Sequence, residues 1–181
     1  MRSASSDVVT EAHSRRAAVV DAGENQGRKP VTRVTNPSML RFAVGAFDTW
    51  ADAQKAAQEL SSDQKPMSQI SYLGLRDVLI RGPAQSLREL PFPGNAAQIA
   101  CSGGPIAERL SARLAVGAPS LQIAIAAWLI PRHAAQLQRS VEKGKIVVWV
   151  EITDPDDERR AYRALLGAGS DSVGVHDLVG P

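Results

Sequence analysis

The sequence predicts an α+β protein: a ferredoxin-like split βαβ sheet with a helical insertion between its two βαβ halves. The first observation is a repeat. Arg41–Phe47 reads as a strand, a helix opens at Asp48 and Thr49, and Ile70–Leu73 reads as a second strand. The same order returns in Lys145–Ile152, a helix opened by Asp154 and Pro155, and Val173–His176. The second observation is that each unit leaves one strand face and one helix face uncovered, so the two units share a sheet. Short loops and right-handed crossovers then give an antiparallel strand order 4-1-3-2 with both repeat helices on one face.

The elements follow in order. Residues 1–38 hold no sustained apolar period and read as a flexible N-terminal arm, leaving 39–181 as a single α+β domain. Within the first unit, residues 41–75, Trp50, Ala53, Ala57 and Leu60 recur at helical spacing and predict one buried stripe. The insert, residues 82–143, opens with the turn signals Gly82-Pro83 and Leu90-Pro91-Phe92-Pro93-Gly94. Three helices then begin at Pro105, Pro119 and Pro131, with Ile106/Leu110/Leu114, Leu121/Ile125/Leu129 and Ala134/Leu137/Val141 in line. The second unit, residues 145–178, starts with a strand that is apolar almost throughout, as a central strand should be. Its helix begins with Asp154 as a cap, Pro155 at the first helical position, and Asp156, Asp157 and Glu158 near the positive end of the helix dipole. The other face of the sheet is the place for the insert to pack.

Composition narrows the function classes. Twenty-one basic residues against 19 acidic leave a net charge of +2, without the clustered basic face of a nucleic-acid binder, so no nucleic-acid partner is expected. One cysteine excludes an intramolecular disulfide framework and fits a reducing, cytoplasmic setting. The most apolar run, Leu121–Ile130, is half the length of a membrane span. Docking of that helix on a membrane surface would need its apolar stripe exposed, and is not expected.

The run Phe42-Ala43-Val44-Gly45-Ala46-Phe47-Asp48, an alanine-rich helix and Ile70-Ser71-Tyr72-Leu73-Gly74 carry a resemblance, together with Ile130-Pro131-Arg132-His133 and Gly144-Lys145-Ile146-Val147-Val148-Trp149-Val150. They resemble the small bacterial general or heat-induced stress protein families, including a proteobacterial branch with a Val-Gly-Val-His-Asp-Leu tail, here Val173–Leu178. The resemblance covers residues 41–75 and 130–178 and implies a stress-associated role. It assigns no catalytic residue.

Two local features carry candidate chemistry. Cys101-Ser102-Gly103-Gly104-Pro105 is a small-residue loop entering a helix, so Cys101, Gly103 and Gly104 form a candidate anion-binding turn. A phosphatase-type loop would need an arginine where Ala107 stands, and the bland reading is a turn that starts a helix. On the sheet, alternation places Trp149 and His176 on the face away from the repeat helices, with Ala43 and Gly45 on the strand between them. These four residues predict a shallow slot for a small planar or anionic ligand. The bland reading fills that slot with the insert or a second copy of the chain.

His13, His133 and His176 show no metal-ligand spacing, so no metal and no cofactor are expected, and His133 reads as a surface or loop-contact residue. No nucleophile–base–acid set stands out. The expectation is a non-enzymatic, stress-associated interaction or assembly module, a homo-oligomer or a binder of another protein, with Trp149, Trp128 and Leu129 as interface anchors. The alternative is a small-ligand sensor or minor enzyme using the Trp149/His176 slot.

Overall fold

The computed structural model describes residues 39–61, 69–84 and 86–179; the arm expected over residues 1–38 lies outside them. Among the described residues, six helices and six strands form three layers around one open antiparallel sheet. The first unit is β1 (Met39–Phe47), α1 (Trp50–Ser61) and β2 (Ile70–Leu75). The second is β5 (Ile146–Ile152), α6 (Pro155–Gly167) and β6 (Val173–Val179). Between them lie α2 (Arg76–Leu79), β3 (Arg88–Leu90), β4 (Ile99–Cys101), α3 (Pro105–Ala115), α4 (Leu121–Ala126) and α5 (Pro131–Glu142).

The sheet order is β3-β4-β2-β5-β1-β6. The four strands of the two units therefore occupy consecutive positions, with β5 between β2 and β1. The insert, expected as turns followed by three helices, also carries β3 and β4, a hairpin added outside β2. Each of those strands has three residues, too few for a period to show in the sequence.

Capping chemistry explains where the helices start. Thr49 Oγ1 accepts from the Asp52 N–H at 3.2 Å at the head of α1. At α4, Ser120 accepts from the Ile123 N–H at 3.3 Å. At α6, the Asp154 carboxylate accepts from the Asp156 and Asp157 N–H groups at 2.9 and 2.8 Å. The buried Asp157 carboxylate reaches back to the Thr153 N–H at 3.2 Å and also accepts from the Thr153 hydroxyl. Gly144, at φ 80°, closes the turn after α5 in the left-handed conformation that favours glycine.

Alternation along the strands divides the core. On one face Ile146, Val148, Val150 and Ile152 of β5 pack with Ala53, Ala56 and Leu60 of α1 and with Ala161, Ala164 and Leu165 of α6. On the other, Val147 and Trp149 join Phe42, Val44 and Leu73 beneath Ile106 and Leu110 of α3, Leu121 and Ile125 of α4, and Ala134 and Val141 of α5. The insert thus covers the face that the repeat helices leave bare. Leu121, Ala124 and Ile125 turn the apolar stripe of α4 inward. No helix among the described residues is long and apolar enough to cross a membrane.

Candidate functional site

The register of β1 decides what the slot contains. Ala43 pairs with Val150 and Gly45 with Val148. Directly opposed residues of an antiparallel pair share a face, so Ala43 and Gly45 point towards α1 and α6. A Cβ on Gly45 would meet Ser170 Oγ at 2.9 Å and Leu165 Cδ2 at 3.3 Å on that side. The expected floor is therefore one residue out of phase: Phe42, Val44 and Ala46 face the insert. The sequence of β1 is apolar or small at every position from Phe42 to Phe47, so its alternation carries no phase until the partner strand sets one.

Trp149 is fully buried, packed edge-on against Phe42 with ring centroids 6.1 Å apart and an interplanar angle of 80°. Its indole N–H has no hydrogen-bond partner among the described residues. Covered by the insert, it offers neither a stacking platform for a ligand nor an anchor on the surface of one chain. Leu129 is likewise buried, whereas Trp128 is half-buried against the same core.

His176 meets a different neighbour. On β1 and β6 it lies opposite Phe42, with Gly174 opposite Val44. Its imidazole folds back over Gly174 and stands against His133 of α5, ring centroids 5.5 Å apart at 68°. The two rings border a solvent-open cleft of about 180 Å³. Val44 and Ala46 form its floor with the backbone of Gly45 and Gly174, and Gln136, Ser140 and Ser172 supply polar groups along its walls. Gln136 Nε2 spans the two sides, donating to Ser172 Oγ at 3.5 Å.

Burial pushes the His176 pKa below its ordinary value, and the neighbouring His133 pushes it in the same direction against a smaller opposing pull from Asp177. The imidazole is thus held in its neutral form at neutral pH. Asp177 alternates to the opposite face, where Arg41 Nη1 pairs with it at 3.4 Å and Arg41 Nη2 pairs with Glu158 at 2.8 Å.

The Cys101 turn is occupied by structure. Cys101 ends β4 opposite Leu73, is fully buried, and burial pushes its thiol up to about 12 despite the lowering effect of Arg88. Ser102 holds β2 with both backbone and side chain: its N–H donates to the Tyr72 carbonyl at 2.8 Å, and its hydroxyl accepts from the Tyr72 N–H at 2.7 Å. The Ser71 hydroxyl donates to the Gly103 carbonyl at 3.2 Å. Gly104 sits at φ 109°, which gives the turn into α3 its glycine. A thiol held protonated inside a sheet has neither the charge state nor the access of a nucleophile.

His133 and His176 are far apart in the chain and neither has a ligand-like neighbour, so no local pattern links them. Only the packing of α5 over the β1–β6 end of the sheet brings them together. Among the described residues, no group of three or more His, Cys, Asp or Glu side chains comes together as a metal cage. No family model matches the chain, and neither a known curated protein nor a solved structure matches it significantly, so the reading of this site stands on its geometry.

Proposed function

We propose that this chain is a non-enzymatic assembly module that pairs with a second copy of itself along β6. The observation that carries the reading is the outer edge of β6, seven residues long and unpaired among the described residues, beside a helix α6 that exposes Tyr162 and Leu166. Natural sheets blunt such edges with lysine, proline, bulges or brevity. The opposite edge, β3, has three residues. Val173-Gly174-Val175-His176-Asp177-Leu178-Val179 contains neither lysine nor proline.

Helix geometry supports the same edge. Successive residues of α6 turn by about 100° around its axis. Arg160 and Arg163 share a surface groove with Glu59 and Leu60 of α1, and the Gly167 carbonyl accepts from Lys55 Nζ at 3.2 Å, so that flank faces α1. Tyr162 turns to the other flank, on the β6 side, and Leu166 lies on the outward face next to it, each 44% exposed. Antiparallel pairing of two β6 strands about a twofold axis would continue the sheet and bring the two α6 flanks together. Arg41, Glu158 and Asp177 put both charge signs at this edge, so a twofold copy can set cation against carboxylate.

We infer that β6-β1-β5-β2 with α1 and α6 is a ferredoxin-like split βαβ unit, supported by the consecutive placement of its strands and by both repeat helices lying on one face. We infer a stress-associated role from the resemblance carried by Phe42–Asp48 and Gly144–Val150, and a cytoplasmic setting from the single cysteine.

Sedimentation velocity of the full chain across the micromolar range tests the assembly. The expected result is a dimer that Tyr162→Asp/Leu166→Asp converts to a monomer with an unchanged far-UV circular dichroism spectrum. A wild-type chain that is monomeric throughout overturns the reading.

A further inference from the structure

We propose that His133 and His176 form an open, two-imidazole site for a borderline divalent transition-metal ion of the zinc, cobalt, nickel or copper(II) type. An imidazole nitrogen binds zinc at about 2.0–2.1 Å, which places the ring centroid about 3.2 Å from the ion, so two rings at a tetrahedral angle stand about 5.2 Å apart. The centroids of His133 and His176 are 5.5 Å apart, with the rings inclined at 68°. The pair therefore has the separation that a shared ion requires, and it lies at a solvent-open cleft through which an ion can enter.

The fold holds the two rings in place by unrelated means. The Nε2 edge of His176 is seated against Gly174, where a Cβ would stand 2.6 Å away, which leaves Nδ1 as its nitrogen for an ion, and His133 is carried in the first turn of α5. Imidazole nitrogen suits zinc, copper and nickel, whereas magnesium and calcium take oxygen ligands. With two protein ligands, the remaining coordination positions belong to water, and Gln136, Ser140 and Ser172 line the same cleft with groups able to hydrogen-bond it. The Cys101 thiol is buried in β4 and takes no part.

Zinc titration of the full chain at pH 7.5 tests the site, read by calorimetry and by the imidazole resonances in long-range ¹H–¹⁵N spectra. The expected result is one ion per chain, with the resonances of His133 and His176 shifting together. His133→Ala and His176→Ala should each weaken binding by at least about tenfold, since even outer-shell changes cost metal sites 10- to 100-fold. His13→Ala, which removes the third histidine of the sequence, should leave binding unchanged. Absence of binding, or binding that shifts His13 alone, overturns the proposal. The wild-type spectra decide the matter even where a variant fails to fold. Because both ligands belong to one chain, the result is independent of whether β6 pairs with a copy.

Discussion

His176 lies so closely over Gly174 that a Cβ there would stand 2.6 Å from the imidazole Nε2. The atom in the way is the far end of a side chain that can rotate, and Gly174 has an ordinary strand backbone rather than a left-handed one. Gly174→Ala should therefore leave global stability within about 1 kcal/mol of wild type, because removing a flexible glycine from a strand offsets the cost of moving the ring. The local effect is larger. His176 should swing away from His133, and its pKa should return upward towards the ordinary histidine value. A histidine Cε1–H titration measures this directly, and an unchanged His176 titration in Gly174→Ala would contradict the seating.

The depressed His176 pKa also fixes the sign of a pH effect. The unfolded chain takes up a proton near the ordinary histidine value of about 6.5, while the folded chain resists it because the ring is partly buried and faces His133. The contribution to stability is complete above that value and is lost as pH falls towards the lower folded pKa. Asp177 on the same strand opposes the effect without reversing it. Urea midpoints should therefore fall between pH 7.5 and 5.5, and His176→Gln should flatten that slope. A His176→Gln profile with the wild-type slope would assign the acid sensitivity elsewhere.

What the sequence made legible follows from physical rule. Strands β1 and β5 are readable as long apolar runs, β6 as the strand that closes the second strand–helix–strand repeat, and the starts of α3, α5 and α6 because Pro105, Pro131 and Pro155 sit at their first positions. The β3–β4 hairpin is not, since Arg88–Leu90 and Ile99–Cys101 become strands only by pairing with each other and with β2. The phase of β1 was hidden for a related reason. A strand covered on both faces has no polar side to mark, and only the pairing of Val44 with Trp149 shows which residues look towards the insert. The histidine pair depends on how α5 crosses the sheet, which no local pattern encodes.

Cys101 gives a prediction of inertness. Its thiol is fully buried and its pKa is pushed up to about 12, so the reactive thiolate is negligible at neutral pH. A chromogenic disulfide reagent should leave the folded chain unmodified and titrate one thiol after addition of denaturant. Cys101→Ser places a hydroxyl among Leu73, Leu90 and Ile99 and should destabilise the fold by about 1–3 kcal/mol. Rapid modification of the native chain would show that β4 opens.

Trp149 combines the largest buried side chain of the core with a buried N–H that has no partner among the described residues. These two properties oppose one another. The ring fills the space between Phe42 and the insert helices, and its removal in Trp149→Ala should cost about 3–5 kcal/mol through the cavity left behind. The orphaned donor carries a desolvation penalty of about 1–3 kcal/mol, and Trp149→Phe abolishes that penalty while retaining most of the packing. Trp149→Phe should therefore lie within about 1.5 kcal/mol of wild type by urea denaturation, the smaller ring's cavity being offset by the lost penalty. Equal destabilisation by Phe and Ala would mean that the indole N–H has a partner in solution. Water entering between the insert and the sheet could supply one, and the face beneath α3, α4 and α5 would then be wetter than its apolar lining implies.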